Sequence, residues 1–379
     1  MTKPIVIATG TRADWGLLKP LADELRRREA PLSVWATNMH ADPSFGNSLA
    51  EISADGYQPE LIGRYRGDAS ETVAENTLAF GKALRETKPT AIIILGDRME
   101  MLGVASAALI TGTPIIHIAG GTVSEGAVDN SIRNAISQMA SLHLTETEKT
   151  ASRLRAMGIS ASDIHVCGAS GVYNATRRKL MSRDELERSL GFDLGEQLLV
   201  CTLHAATRPG PGEVPLQAME SMLTALGLWL AEEEGNRVIL TWPNNDVDPA
   251  PQVRAMEKFA ATRPEQVLVI PSLGALRYLS AVAISKGVIG NSSSGLVEVP
   301  STGVPTLDIG SRQTGRECGP SVIHCAPDAA AIYAGIQKIL SPEIQALAAK
   351  RENPYAKPDT PALMANAVIN YQRQMTKDQ

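Results

Sequence analysis

Positive charge is not in excess in this sequence: 36 Lys and Arg stand against 41 Asp and Glu, a formal net charge of -5. Without a basic field to gather a polyanion, nucleic acid is excluded as the main partner, and any phosphate must be gripped locally. Cysteine is scarce, and Cys167, Cys201, Cys318 and Cys325 have neither metal-ligand nor redox spacing, so reduced thiols in the cytoplasm are expected. The six histidines include no His-x-x-x-His pair, and no structural metal is expected. No apolar run approaches the length that spans a bilayer, so no membrane partner is expected. The opening Met-Thr-Lys-Pro-Ile-Val-Ile enters a strand directly and lacks a signal-peptide pattern. The exit of that first strand lacks the Gly-x-Gly-x-x-Gly fingerprint, which disfavours a dinucleotide cofactor, and none is predicted.

What is present is a rhythm. In a chain of 379 residues, 44% hydrophobic, short β-branched runs alternate with helical patterns almost throughout. Strands are predicted at Ile5–Ala8, Leu32–Ala36, Ala91–Leu95, Ile115–Ala119, Leu142–Thr145 and Ile164–Cys167. Gly16–Glu29 reads as a helix with Leu17, Leu18, Leu21 and Leu25 on one face and arginines at its end, the sign its dipole prefers. A second set of strands follows at Leu198–Leu203, Arg237–Thr241, Val267–Ile270, Ala283–Val288 and Thr306–Ile309, with helices at Glu213–Glu234 and Pro249–Ala261. Strand, helix, strand in this order gives doubly wound parallel sheets. The expected organisation is α/β, with two Rossmann-like domains at 1–172 and 173–358 and a C-terminal helix in 359–379 crossing back to the first.

Ligands of such sheets bind at the carboxyl ends of the strands, and five of those ends carry polar groups. After the first strand come Arg12 and Asp14, the latter a ligand group or a helix cap. In Leu95-Gly-Asp-Arg-Met-Glu100, Asp97 and Arg98 leave an apolar strand. Asp97 there is either a partly desolvated carboxylate suited to proton transfer or a helix cap paired with Arg98. The segment from His117 to Asn130 adds His117 as a substrate-binding candidate together with Glu125 and Asp129, and Asp129 reads as a carboxylate of the site or an N-cap. His204 follows the first strand of the second half, where it could donate to a phosphate or shuttle a proton. Asn244 and Asn245, in Trp242-Pro-Asn-Asn-Asp246, serve a turn or a bound base.

The richest stretch runs from Gly290 to Arg316. Ser292, Ser293 and Ser294 are placed to open a short helix, whose free N–H groups and hydroxyls suit an anion such as a diphosphate. Glu298 stands one turn on, within reach of sugar hydroxyls, and Arg312 and Arg316 follow as forked phosphate partners.

Taken together and in order, these loops resemble the UDP-N-acetylglucosamine 2-epimerase family, in particular its hydrolysing branch. The matching segments are Thr-Arg-Ala-Asp, Leu-Gly-Asp-Arg, Gly-Ala-Val-Asp with Ser-Ile-Arg-Asn-Ala-Ile, Thr-Leu-His, Pro-Asn-Asn-Asp, Gly-Asn-Ser-Ser-Ser-Gly-Leu-Val-Glu-Val and Arg-Gln-Thr-Gly-Arg. The resemblance implies a glycosyltransferase-B-like fold with two domains facing across a cleft. It also implies a UDP- or GDP-linked sugar substrate and a homodimer or homotetramer. It assigns Arg12, Ser292, Ser293 and Arg312 to the diphosphate, with Arg98 nearby, and Glu298 to the ribose. Asp97, Asp129 and His204 fall to catalysis or sugar positioning. The chain departs from the family where His117-Ile-Ala-Gly-Gly-Thr122 replaces a segment with glutamates flanking the glycines. Glu125 or Asp129 supplies the missing carboxylate, or the sugar differs, or the activity is lost. A glycosyltransferase and a silent nucleotide-sugar binder are the competing readings.

Overall fold

The computed structural model describes residues 3–41, 48–123, 129–205, 214–244 and 248–377. The chain separates into two compact units, one from Met1–Thr122, Val128–Asn174 and Ala356–Gln379, the other from Ala175–Tyr355.

The first unit is a seven-stranded parallel sheet of β1 (Ile5–Thr9), β2 (Leu32–Ala36), β3 (Pro59–Leu61), β4 (Ala91–Leu95), β5 (Ile115–Ile118), β6 (Leu142–Thr145) and β7 (Ile164–Val166), in the order β3-β2-β1-β4-β5-β6-β7. The central strands, Ile-Val-Ile-Ala-Thr and Ala-Ile-Ile-Ile-Leu, are apolar at nearly every position because helices cover both faces. Alternation divides them between two cores. Ile5, Ile7 and Ile93 pack with Leu18, Leu21 and Leu25 of the helix Arg12–Arg27, while Val6, Ile92 and Ile94 pack with Phe80 and Val104. Each buried aliphatic side chain contributes about 1.5–3 kcal/mol. The helix Thr360–Lys377 adds Met364, Ala365 and Val368 to the first of these cores.

The second unit is a six-stranded parallel sheet of β8 (Gln197–Thr202), β9 (Asn236–Thr241), β10 (Val267–Ile270), β11 (Gly287–Gly290), β12 (Thr306–Ile309) and β13 (Val322–Cys325), ordered β10-β9-β8-β11-β12-β13. Leu199, Cys201, Leu240 and Leu307 form one core and Leu198, Val200, Ile239 and Val288 the other.

Both orders reverse direction once, between β1 and β4 in the first sheet and between β8 and β11 in the second. Such switch points leave a crevice beyond the carboxyl ends of the strands. The polar loops therefore converge on these two places, one in each unit.

Three elements differ from the sequence pattern. The apolar run read as a strand at Ala283–Val288 is the tail of the helix Gly274–Ile284, then a turn, then β11. A short apolar run has the same appearance in a buried helix and a buried strand. The edge strands β3 and β13 escape the pattern because they are three and four residues long and only partly buried; a proline opens β3, where an edge tolerates it.

Candidate functional site

At the switch point of the first sheet, the loop after β1 leads into the helix Arg12–Arg27. Its N-cap is Thr11, whose hydroxyl accepts from the Asp14 backbone N–H at 3.2 Å. Asp14 is therefore free of capping, and its carboxylate turns toward the end of β4. There Asp14 Oδ2 lies 3.8 Å from Arg98 Nε and makes no hydrogen bond among the described residues. Burial pushes the Asp14 carboxyl up to about 6, against the pull of Arg98 and with the push of Glu100. Arg98 Nε donates to Glu100 Oε1 at 2.7 Å, and Glu100 is only 1% exposed. Gly10 makes room for this acid, since a Cβ there would stand 2.5 Å from Glu100 Oε1.

Asp97 does not cap the helix Met99–Thr111, and Arg98 does not pair with it. The N-cap position is Arg98, without a side-chain cap bond, and Asp97 Oδ2 accepts instead from Arg133 Nη2 of the helix Asp129–Met139. Arg133 Nη1 donates to the Thr122 carbonyl at 2.6 Å, so one buried guanidinium ties the end of β4 to the turn after β5. Thr122 Oγ1 in turn donates to Glu146 Oε2 at 2.9 Å. A carboxylate thus borders the turn that lacks the family's glutamates, and it arrives from the end of β6.

His117 is completely buried with both ring nitrogens bonded, one to the Gly96 carbonyl at 2.8 Å and one to Ser137 Oγ at 3.1 Å. Burial pushes its imidazole down to about 3. A neutral ring so held braces the Gly96-Asp97-Arg98 turn and cannot reach a ligand, which corrects its expected place among the substrate-binding residues. Arg12 opens its helix on the surface and pairs with Glu51 at 2.7 Å, apart from the Asp14–Arg98 group. Asp129 is the first residue of its helix and is exposed. Glu125 and Asn245 lie outside the described residues.

At the switch point of the second sheet, His204 and Asn291 exchange two hydrogen bonds. The His204 N–H donates to Asn291 Oδ1 at 2.8 Å, and Asn291 Nδ2 donates to the His204 carbonyl at 2.9 Å. His204 Nδ1 accepts from the Asn244 backbone N–H at 3.0 Å, which assigns the ring proton to Nε2 and makes that atom a donor. Burial, helped by the charge of Arg312, pushes the imidazole down to about 4, so it stays neutral. Arg312 Nη1 and Gln313 Nε2 both donate to the Asn291 carbonyl, at 3.1 and 2.7 Å. His204, Asn291, Ser311 and Arg312 line a pocket closed on its apolar side by Pro215 and Ile309. Gly290 makes the approach of β11 to β8 possible: with φ at +137°, its missing Cβ would lie 1.8 Å from the Thr202 carbonyl oxygen.

Ser292 is the N-cap of the helix Ser293–Val297, without a side-chain cap bond, and Glu298 is its C-cap. At five residues this helix carries little dipole, so arginine must supply most of the pull on an anion. Tyr278 bonds Ser294, and burial raises its phenol. Arg316 is half-buried on the same segment as Arg312. Among the described residues, no group of three His, Cys, Asp or Glu is placed to hold a metal ion, and no helix is long and apolar enough to cross a membrane. Glu100, Arg133, Glu146, Asn291 and Gln313 were not singled out by sequence; all but Glu146 lie inside the quoted motifs, which was the signal available.

Two doubly wound parallel sheets, each with polar side chains gathered at its switch point, define a protein of the glycosyltransferase-B-like class. Comparison with known proteins narrows this. The model of the UDP-N-acetylglucosamine 2-epimerase family matches residues 23–369. The chain is 30% identical over 343 residues to the UDP-N-acetylglucosamine 2-epimerase of Neisseria meningitidis serogroup B, covering 89% of this chain and 88% of that one. It is 30% identical over 348 residues to the UDP-N,N'-diacetylbacillosamine 2-epimerase (hydrolyzing) of Legionella pneumophila, covering 90% of each. The crystal structure of UDP-GlcNAc 2-epimerase from Neisseria meningitidis, bound to UDP-GlcNAc, has the same fold, with a TM-score of 0.79 at 15% identity over 97% of this chain and 100% of that one. The chain belongs to the UDP-N-acetylglucosamine 2-epimerase family.

Proposed function

We propose that the protein is a hydrolysing 2-epimerase of a UDP-linked N-acetylamino sugar, either UDP-N-acetylglucosamine or a 2,4-diacetamido-trideoxy derivative. It eliminates the nucleotide diphosphate and adds water, releasing a free manno-configured sugar for nonulosonic acid synthesis. The observation that carries this reading is the Asp14 carboxyl, held near 6 beside Arg98. A carboxyl tuned to that range both takes and returns a proton at neutral pH.

In this reaction a base removes the proton on C2 while the anomeric C1–O bond breaks, and the diphosphate leaves with the bonding electrons. The glycal then takes up water at C1 and a proton at C2 from the opposite face. Arg312 and the Nε2–H of His204 are suited to receive the charge on the diphosphate, with Ser292, Ser293 and Arg316 beside them and Glu298 holding the ribose. One such donor contributes about 3 kcal/mol to barrier lowering in comparable oxyanion sites. On the sugar side Asp97, fixed by Arg133, orients substrate with Arg98, and Asp14 and Asp129 exchange the C2 proton. The Legionella relative with a hydrolyzing name supports the branch. A homodimer or homotetramer is part of the same reading. Leu78 and Ile110, 75% and 85% exposed, support it: they leave apolar side chains in water on two helices packed against each other.

The test is incubation with UDP-N-acetylglucosamine and its diacetamido derivative in deuterated water. Free manno-sugar carrying one deuterium at C2, with UDP released in equal amount, is the expected result. Inversion at C2 with the sugar still linked to UDP would place the enzyme in a non-hydrolysing branch. A second reading, a silent nucleotide-sugar binder, is favoured by Ala119 and Thr122; UDP binding without turnover of either sugar would select it.

A further inference from the structure

We propose that Cys318, His324 and Asp308 form a second reactive centre, a thiol site that takes small-molecule disulfides by exchange. The three residues stand in a line. Cys318 Sγ lies 3.6 Å from His324 Nε2, and His324 Nδ1 lies 2.9 Å from Asp308 Oδ2. A thiol facing a cationic imidazole that a carboxylate holds is an arrangement that favours the sulfur anion as nucleophile.

The ladder of the second sheet builds it. Asp308 of β12 and His324 of β13 are register partners, so the imidazole is set against the carboxylate by the backbone. Asp308 is 1% exposed, and its Oδ1 has no hydrogen-bond partner among the described residues. A buried carboxylate with one bonded oxygen concentrates its charge on the group that does bond it. His324 is raised to about 10, first by its hydrogen bond to Asp308 and then by that to Cys318. Burial raises the Asp308 carboxyl, and His324, Arg312 and Arg316 pull against it. The ring and the sulfur remain accessible from solvent.

In the exchange, the thiol proton leaves to water, and the His324 imidazolium, held by Asp308, faces the sulfur anion. The Cys318 sulfur attacks one sulfur of the disulfide, a new S–S bond forms as the old one breaks, and the departing thiolate takes a proton from water. One disulfide enters; one mixed disulfide and one thiol result. The other cysteines are poor competitors. Cys167 and Cys201 are enclosed in the cores, and burial pushes the Cys325 thiol up to about 12. Neither the site nor its chemistry depends on the nucleotide-sugar reading, although Cys318 shares its segment with Arg312 and Arg316.

The experiment treats the full chain with oxidised glutathione and an aromatic disulfide, then reads adducts by peptide mass and rates by released thiol. One reductant-reversible adduct at Cys318 is expected, with the rate in H324Q falling about tenfold or more at pH 7. Equal labelling of Cys325, or an unchanged rate in a folded H324Q, would overturn the proposal. Because the readout is mass and thiol release, an enzyme inactive on every nucleotide sugar leaves the result intact.

Discussion

Arg133 closes on Asp97 from a helix 36 residues further along the chain and, with its other amino group, holds the carbonyl of Thr122. The pair is largely shielded from water, so each partner depends on the other for compensation of its charge. Arg133→Met strands Asp97, and a loss of about 3 kcal/mol is expected on chemical denaturation. Adding Asp97→Asn should recover much of that stability without restoring turnover. A double variant no more stable than the single one would show that the guanidinium acts elsewhere.

Asp14 gives a pH signature. Its folded carboxyl titrates near 6 against an ordinary 3.8, so the folded state binds this proton more tightly than the unfolded one. The stability it contributes is fully present below about pH 4 and is lost as pH rises through about 6, some 2–3 kcal/mol. Asp14→Asn should therefore flatten the stability–pH curve between those values and gain stability at pH 7 relative to the native chain. The same variant should lose the acid limb of the turnover–pH profile. A native curve without a step in that window would contradict the buried setting of Asp14.

Arg312 should hold the anion as well as the Asn291 carbonyl. Calorimetry on Arg312→Ala is expected to show UDP binding weakened about tenfold to a hundredfold, with Arg312→Lys recovering only part. Unaltered UDP affinity would remove Arg312 from the diphosphate.

The apolar helix surface gives an association test. Ile110→Glu should shift sedimentation toward the monomer while far-ultraviolet dichroism stays native. A native chain that sediments as a monomer at micromolar concentration would remove the oligomer from the functional reading.

Much of the architecture was legible along the chain because parallel strands buried on both faces announce themselves as apolar runs. β2, β4, β6 and β10 fall on the predicted residues. Asp97, Arg98, His204 and Arg312 were legible as polar residues at strand ends, within three positions of β4, β8 and β12; their roles toward a substrate are proposed. Arg133, Glu146 and Asn291 were not legible as site residues. Their importance comes from which strands lie side by side: Asn291 meets His204 across 87 residues only because β11 runs next to β8. Local pattern carries no information about that neighbour. His117 misled for the converse reason, because a strand-end histidine looks the same whether it opens to a ligand or braces a turn from beneath.

The clearance at Gly290 sets a boundary for anyone reshaping this protein. Alanine there would meet the Thr202 oxygen in a backbone region that side chains avoid, so a randomised library should return glycine alone among folded members. Sugar preference would have to be redirected from the loops around that fixed crossing, leaving the crossing itself untouched.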